Sequence, residues 1–127
     1  MYDHVKPTIR EFHPNHIILH VGTNELKSSK TACQISRSVI DLALSLKSGA
    51  NAVTISLIVP RKDNLNNKVQ EVNSRLINMC GERDIAFIDH TDTIDTERHL
   101  NESKVHLNKS GTIEFAKNVF KFLLQQD

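Results

Sequence analysis

Only two of the 127 residues are cysteine, Cys33 and Cys80, and they lie far apart without metal-type spacing. That leaves neither a disulfide framework nor a thiolate metal site to read, and both residues fall in helix-like segments as free core thiols. No apolar run approaches the roughly 20 residues of a membrane span. The N-terminus also lacks the cationic and apolar regions of a signal peptide, so a cytoplasmic setting without a membrane partner is expected. Neither sign of charge is in excess. Sixteen Lys and Arg stand against fifteen Asp and Glu, a net charge of +1, and no global field points to nucleic acid. What is present is ordinary for a soluble domain: 39% hydrophobic and 24% charged residues, enough for one domain over 1–127 with a single core.

The chain is organised around His16 to Leu26, HIILHVGTNEL. Ile17, Ile18, Leu19 and Val21 form a short β-branched-rich run bounded by Asn15 and Gly22, which predicts a buried strand from Ile17 to Val21. Thr23, Asn24 and Glu25 follow its carboxyl end, where open parallel sheets bind ligands. Gly22 permits a tight turn with close backbone approach, and Asn24 offers an amide donor on the loop.

Around that strand, apolar spacing lays out alternating elements. Tyr2, Val5, Ile9 and Phe12 recur at helical spacing, with Pro7 suited to a first turn. His13, Pro14 and Asn15 make a break, and the pair His13 and His16 reads as loop polarity rather than as metal ligands, with no third ligand nearby. A helix is expected from about Ser29 to Lys47, with Ser28, Ser29 and Thr31 as candidate caps and Ala32, Ile35, Val39, Leu42 and Leu46 as its inner face. Gly49 follows as a stop. Ala52 to Val59 is the next strand, ended by Pro60. A helix with Leu65, Val69, Val72, Leu76 and Met79 inward closes at Gly81, and Ile85 to Asp89 is a third strand. Thr91 to Lys104 reads as loop. The last helix, about Ser110 to Leu124, carries Ile113, Ala116, Val119, Phe120 and Leu123. Strands alternating with amphipathic helices predict an α/β fold with a parallel sheet between helix layers, although three strands make a small sheet.

A second stretch with possible chemistry is KVHLNKSGT, where His106 lies just before the last helix. A histidine there can move a proton near neutral pH. Together, HVGTNEL after a strand and VHLN before the final helix resemble the SGNH hydrolase family of GDSL-type esterases and lipases. The resemblance runs through the chain in element order and is nearest to esterase-like domains of retroelement-derived polyproteins. It implies a flavodoxin-like, three-layer α/β/α domain that acts on small carboxylic esters without a cofactor. The family's Gly-x-Asn-Asp block matches Gly22, Thr23 and Asn24, with Glu25 in place of the final acid. Asn24 and Gly22 would then serve the oxyanion hole. Its Asp-x-x-His block matches at His106, the base, while Ser103 stands where the aspartate belongs and Glu102 is one residue away.

The family's Gly-Asp-Ser block, which supplies the nucleophile, occurs nowhere in the sequence. Met1 thus reads as starting inside the family domain, without its two leading strands. Two expectations follow. Either an ester hydrolase site takes its serine from outside these residues, with weak or no activity alone, or a non-catalytic derivative associates through its surface. In the family order 2-1-3-4-5, the strand at Ile17 to Val21 would become an open edge and a place for a homodimer to form.

Overall fold

The computed structural model describes residues 15–50 and 52–125. The helical reading of Tyr2 to Phe12 and the residue His13 lie outside them. Three parallel strands, β1 (His16–Leu19), β2 (Ala52–Ser56) and β3 (Ala86–Ile88), form a sheet in the order β1-β2-β3. The register sets Ile17 beside Val53 and Ile55 beside Phe87. Helices α1 (Ala32–Lys47) and α2 (Asn66–Arg83) provide the crossovers, and α3 (Lys109–Leu124) closes the chain. This is the expected α/β arrangement, and the sequential order is the one that the third to fifth strands take in a 2-1-3-4-5 sheet.

Strand alternation divides the sheet into two unlike faces. Leu19, Val53, Ile55 and Leu57 join Ile35, Val39, Leu42, Leu46, Val69, Val72 and Leu76 in one core beneath α1 and α2, which pack against each other. The opposite face carries His16, Thr54 and Ser56, and α3 lies over it, with the ring of Phe122 edge-on to His16 at 6.0 Å. β2 is buried on both sides, which explains why it reads as a continuous apolar run broken only by Thr54 and Ser56.

Several boundaries differ from expectation for local reasons. The first helix starts at Ala32 because Thr31 forms a capping box: its hydroxyl accepts from Gln34 N, and the Gln34 side chain accepts from Thr31 N. Gly81 does not end α2. The helix runs to Arg83 and stops at Asp84, which takes the left-handed conformation at φ 55° while Ile85 N bonds to Cys80 O. Cys80 is in the core as expected, but Cys33 is only half-buried, so the two thiols do not share one environment. The inner face of α3 is also shifted. Ile113, Ala116, Phe120 and Leu123 are exposed, and the helix turns Phe115, Asn118 and Phe122 toward the sheet. No helix among the described residues is long and apolar enough to cross a membrane.

Candidate functional site

The site begins where β1 ends. Gly22 adopts φ 109° and ψ −21°, a left-handed conformation that strains any residue with a Cβ. A Cβ there would also meet Ile58 at 3.3 Å. The turn feeds a short 3-10 segment, Thr23–Glu25, closed by Glu25 N to Gly22 O at 3.1 Å and anchored by the buried Leu26. Asn24 is thereby held on the surface at the carboxyl end of the sheet. Its side chain makes no hydrogen bond with the described residues, and Glu25 is engaged with Lys30 at 3.2 Å.

His106 arrives at the same end on a different frame. A bridge between Leu100 and Leu107, with Asn101 N bonded to His106 O at 2.8 Å, makes a tight loop. Ser103 Oγ accepts from His106 N at 3.1 Å and Val105 N at 3.2 Å. Ser103 therefore shapes the backbone under His106 and does not bond to the imidazole. Glu102 is exposed, and no described residue hydrogen-bonds the His106 ring. The loop is fixed below by Lys62 N to Lys104 O, and at the start of α3 by Asn108, whose side chain accepts from Gly111 N at 2.8 Å.

Two adjoining depressions lie between these frames. One, of about 390 Å³, is lined by His20, Thr23, Val59, Arg61, Val105, His106, Leu107, Thr112 and Phe115. The other, of about 270 Å³, is lined by His20 to Glu25 and so includes Gly22 and Asn24. His20 and Thr23 form their shared wall. Asn24 and His106 therefore occupy two neighbouring depressions at one end of the sheet, not a single shared one. Arg61 is buried and held along one guanidinium edge, Nε and Nη2, by the two carboxylate oxygens of Asp63, whose carboxyl it holds below the usual range. A larger hollow of about 430 Å³, lined by Arg37, Asp41, Glu82 and Arg83, lies between α1 and α2 and shares no residue with these.

The polar sheet face behind the pocket holds residues that sequence reasoning passed over. Asn118 Nδ2 donates to Thr93 Oγ1 at 2.6 Å and to His90 Nδ1 at 2.9 Å. His90 Nε2 lies 2.7 Å from Ser56 Oγ, and His20 Nδ1 lies 3.1 Å from both Ser56 Oγ and the Ser56 carbonyl. Carbonyl oxygen only accepts, so His20 bears its proton on Nδ1; His90, accepting at Nδ1, bears its proton on Nε2 and donates it to Ser56. Phe115 stacks on His90 and meets His20 edge-on. Burial lowers the His90 pKa to about 4, helped by the neighbouring His20 and opposed by Asp89. Desolvation also lowers that of His20, against the pull of the Ser56 carbonyl. The signal was available: polar His16, Thr54 and Ser56 alternate with apolar neighbours, the mark of a strand with two unlike faces. Among the described residues no group of three or more His, Cys, Asp or Glu is arranged to hold a metal ion.

The architecture is the α/β fold of SGNH, or G-D-S-L, hydrolases. A lipolytic protein of the G-D-S-L family from Veillonella parvula superposes with a TM-score of 0.80 at 20% identity, over 98% of this chain and 75% of that one. A GDSL-like lipase from Bacteroides thetaiotaomicron gives 0.81 at 13% identity, over 98% and 71%. A carbohydrate esterase family 3 protein from Talaromyces cellulolyticus gives 0.81 at 18%, over 98% and 66%. No family model matches the sequence, and no curated protein matches it.

Proposed function

We propose that these residues carry the oxyanion and base parts of an SGNH-type ester hydrolase site acting on small carboxylic esters. The observation that carries this reading is that Gly22 and Asn24 adjoin the His106 pocket at the carboxyl end of the sheet, through the shared wall of His20 and Thr23. The chemistry suits an ester. Val59, Val105, Leu107 and Phe115 offer an apolar wall for a short acyl group. The free Asn24 amide and the Gly22 backbone N–H are donors for a developing oxyanion, and His106 is the base that accepts the nucleophile's proton. Thr23 lines both depressions, Glu25 lines the one that holds Asn24, Ser103 supports the His106 backbone, and Glu102 is exposed on the His106 loop without lining either depression. The serine that attacks comes from outside these 127 residues, which contain no Gly-Asp-Ser. We place the chain nearest to esterase-like domains of retroelement-derived proteins on the same two blocks.

Hydrolysis of p-nitrophenyl acetate tests this. The 127 residues alone should exceed buffer only slightly, because loss of the nucleophile commonly leaves a residual rate orders of magnitude below that of an intact triad. A large, His106-dependent burst would show that a residue present here is the nucleophile. No excess over buffer would favour a second reading, a non-catalytic module that associates through its surface. That alternative draws on the apolar stripe of α3, where Phe120 is 63% and Leu124 72% exposed, and on β1, an edge strand among the described residues.

A further inference from the structure

A catalytic imidazole needs a lone pair at the reacting atom and a partner that fixes its ring. His106 has the position, but no described residue orients its ring. His20 lines the same pocket and has such a partner. Its Nδ1 edge is held twice by Ser56, and Ser56 is fixed in turn by His90, which Asn118 and Phe115 hold in place. With the proton on Nδ1, the lone pair of His20 is on Nε2, the edge of the ring away from Ser56.

We propose that His20 is a second, pre-oriented base of the pocket, which activates water when no serine is present, with Ser56 and His90 as positioning residues. This rests on the hydrolase reading above and names the group that carries its residual rate. In the step, a water oxygen bonds to the ester carbonyl carbon as one water proton passes to His20 Nε2. The ester C–O bond then breaks, and that proton goes to the departing alkoxide oxygen, leaving a carboxylic acid and an alcohol. The charged and titratable groups around His20 suit a base. His90 stays neutral behind it, the Arg61 charge is matched by Asp63, and His106 lines the same pocket.

The outcome is decided by side-chain ¹H–¹⁵N NMR of the unmodified protein together with p-nitrophenyl acetate kinetics. The spectra should show His20 as the Nδ1–H tautomer, and Ser56→Ala should perturb its ring nitrogen signals. His20→Gln should remove about tenfold or more of the excess rate, the low end of what general bases contribute, and more than His106→Gln removes. An Nε2–H tautomer for His20 overturns the inference whatever the turnover. A rate that survives His20→Gln but falls with His106→Gln overturns it while leaving the hydrolase reading intact. No excess rate in the unmodified chain overturns that reading, and the base role of His20 falls with it.

Discussion

The imidazole of His90 stacks on the ring of Phe115, with centroids 4.4 Å apart and planes 19° from parallel. That contact seals a neutral histidine between the sheet and α3, and it ties stability to pH. In the folded state burial lowers the His90 pKa from 6.5 to about 4, with His20 adding to the shift and Asp89 opposing it. The unfolded chain therefore binds the proton first as pH falls. Stability from this group is complete above pH 6.5, declines as pH drops from 6.5 to about 4, and is level below. The full shift corresponds to roughly 3 kcal/mol. Urea midpoints across this range should fall for the wild type and fall less for His90→Gln.

Gly111 sits in the first turn of α3, where an added Cβ would lie 2.2 Å from the carbonyl oxygen of His99. That oxygen also accepts from Asn108 N and belongs to the loop frame, so it has little room to move. Gly111→Ala should destabilise by about 1–3 kcal/mol, the usual range for overpacking. Because the same turn precedes Phe115, thermal melting should fall together with a change in the His90 and His20 ring resonances.

The two thiols should separate cleanly. Burial pushes the Cys80 thiol up to about 11, whereas Cys33 is partly open to solvent. Since the thiolate is the nucleophile, iodoacetamide at pH 8 should label Cys33 in the native protein and leave Cys80 unmodified until the chain is unfolded, as mass spectrometry would show. Equal native labelling would contradict the packing of α2.

Association is the fourth test. β1 is an edge among the described residues, and such edges recruit a further strand unless something blocks them. Beside it, α3 exposes Ile113, Phe120, Leu123 and Leu124, and covering such surface yields roughly 25 cal/mol per Å². Sedimentation at micromolar concentration should show a dimer, weakened by Phe120→Lys. A monomer at all concentrations would mean that neither surface is an interface.

What the sequence made legible was the part governed by local periodicity. A strand here with its glycine turn, expected over Ile17 to Val21 and found over His16–Leu19, the crossovers α1 and α2, and the placing of Gly22 to Asn24 and His106 at one end of the sheet follow from apolar spacing and topology. The shifted face of α3 does not. Its spacing offers Ile113, Phe120 and Leu123 as an inner stripe, but the sheet face below carries His16, Thr54 and Ser56, with His90 just past β3, and the helix turns Phe115 and Asn118 to meet this polar group. Gly81 misled for a related reason: it lies in an open stretch of helix, while Asp84 supplies the left-handed stop. The alternation marks Ser56 as facing away from the core, but its pairing with His20 was hidden because it spans 36 residues.

The polar seam under α3 makes that helix the separable unit of the molecule. α1 and α2 share the apolar core with the sheet, whereas Gly111 is the one buried residue of α3, and the helix is joined to the sheet chiefly through rings and amides. Local opening has a lower free energy where little apolar surface is lost. Amide protons of α3 should therefore exchange well before those of β2, and each such excursion would wet Ser56 and His90 while the core stays closed. The groups that fix His20 would then be intermittent rather than permanent, and the lifetime of the α3 contact would set how long the pocket stays ordered between openings.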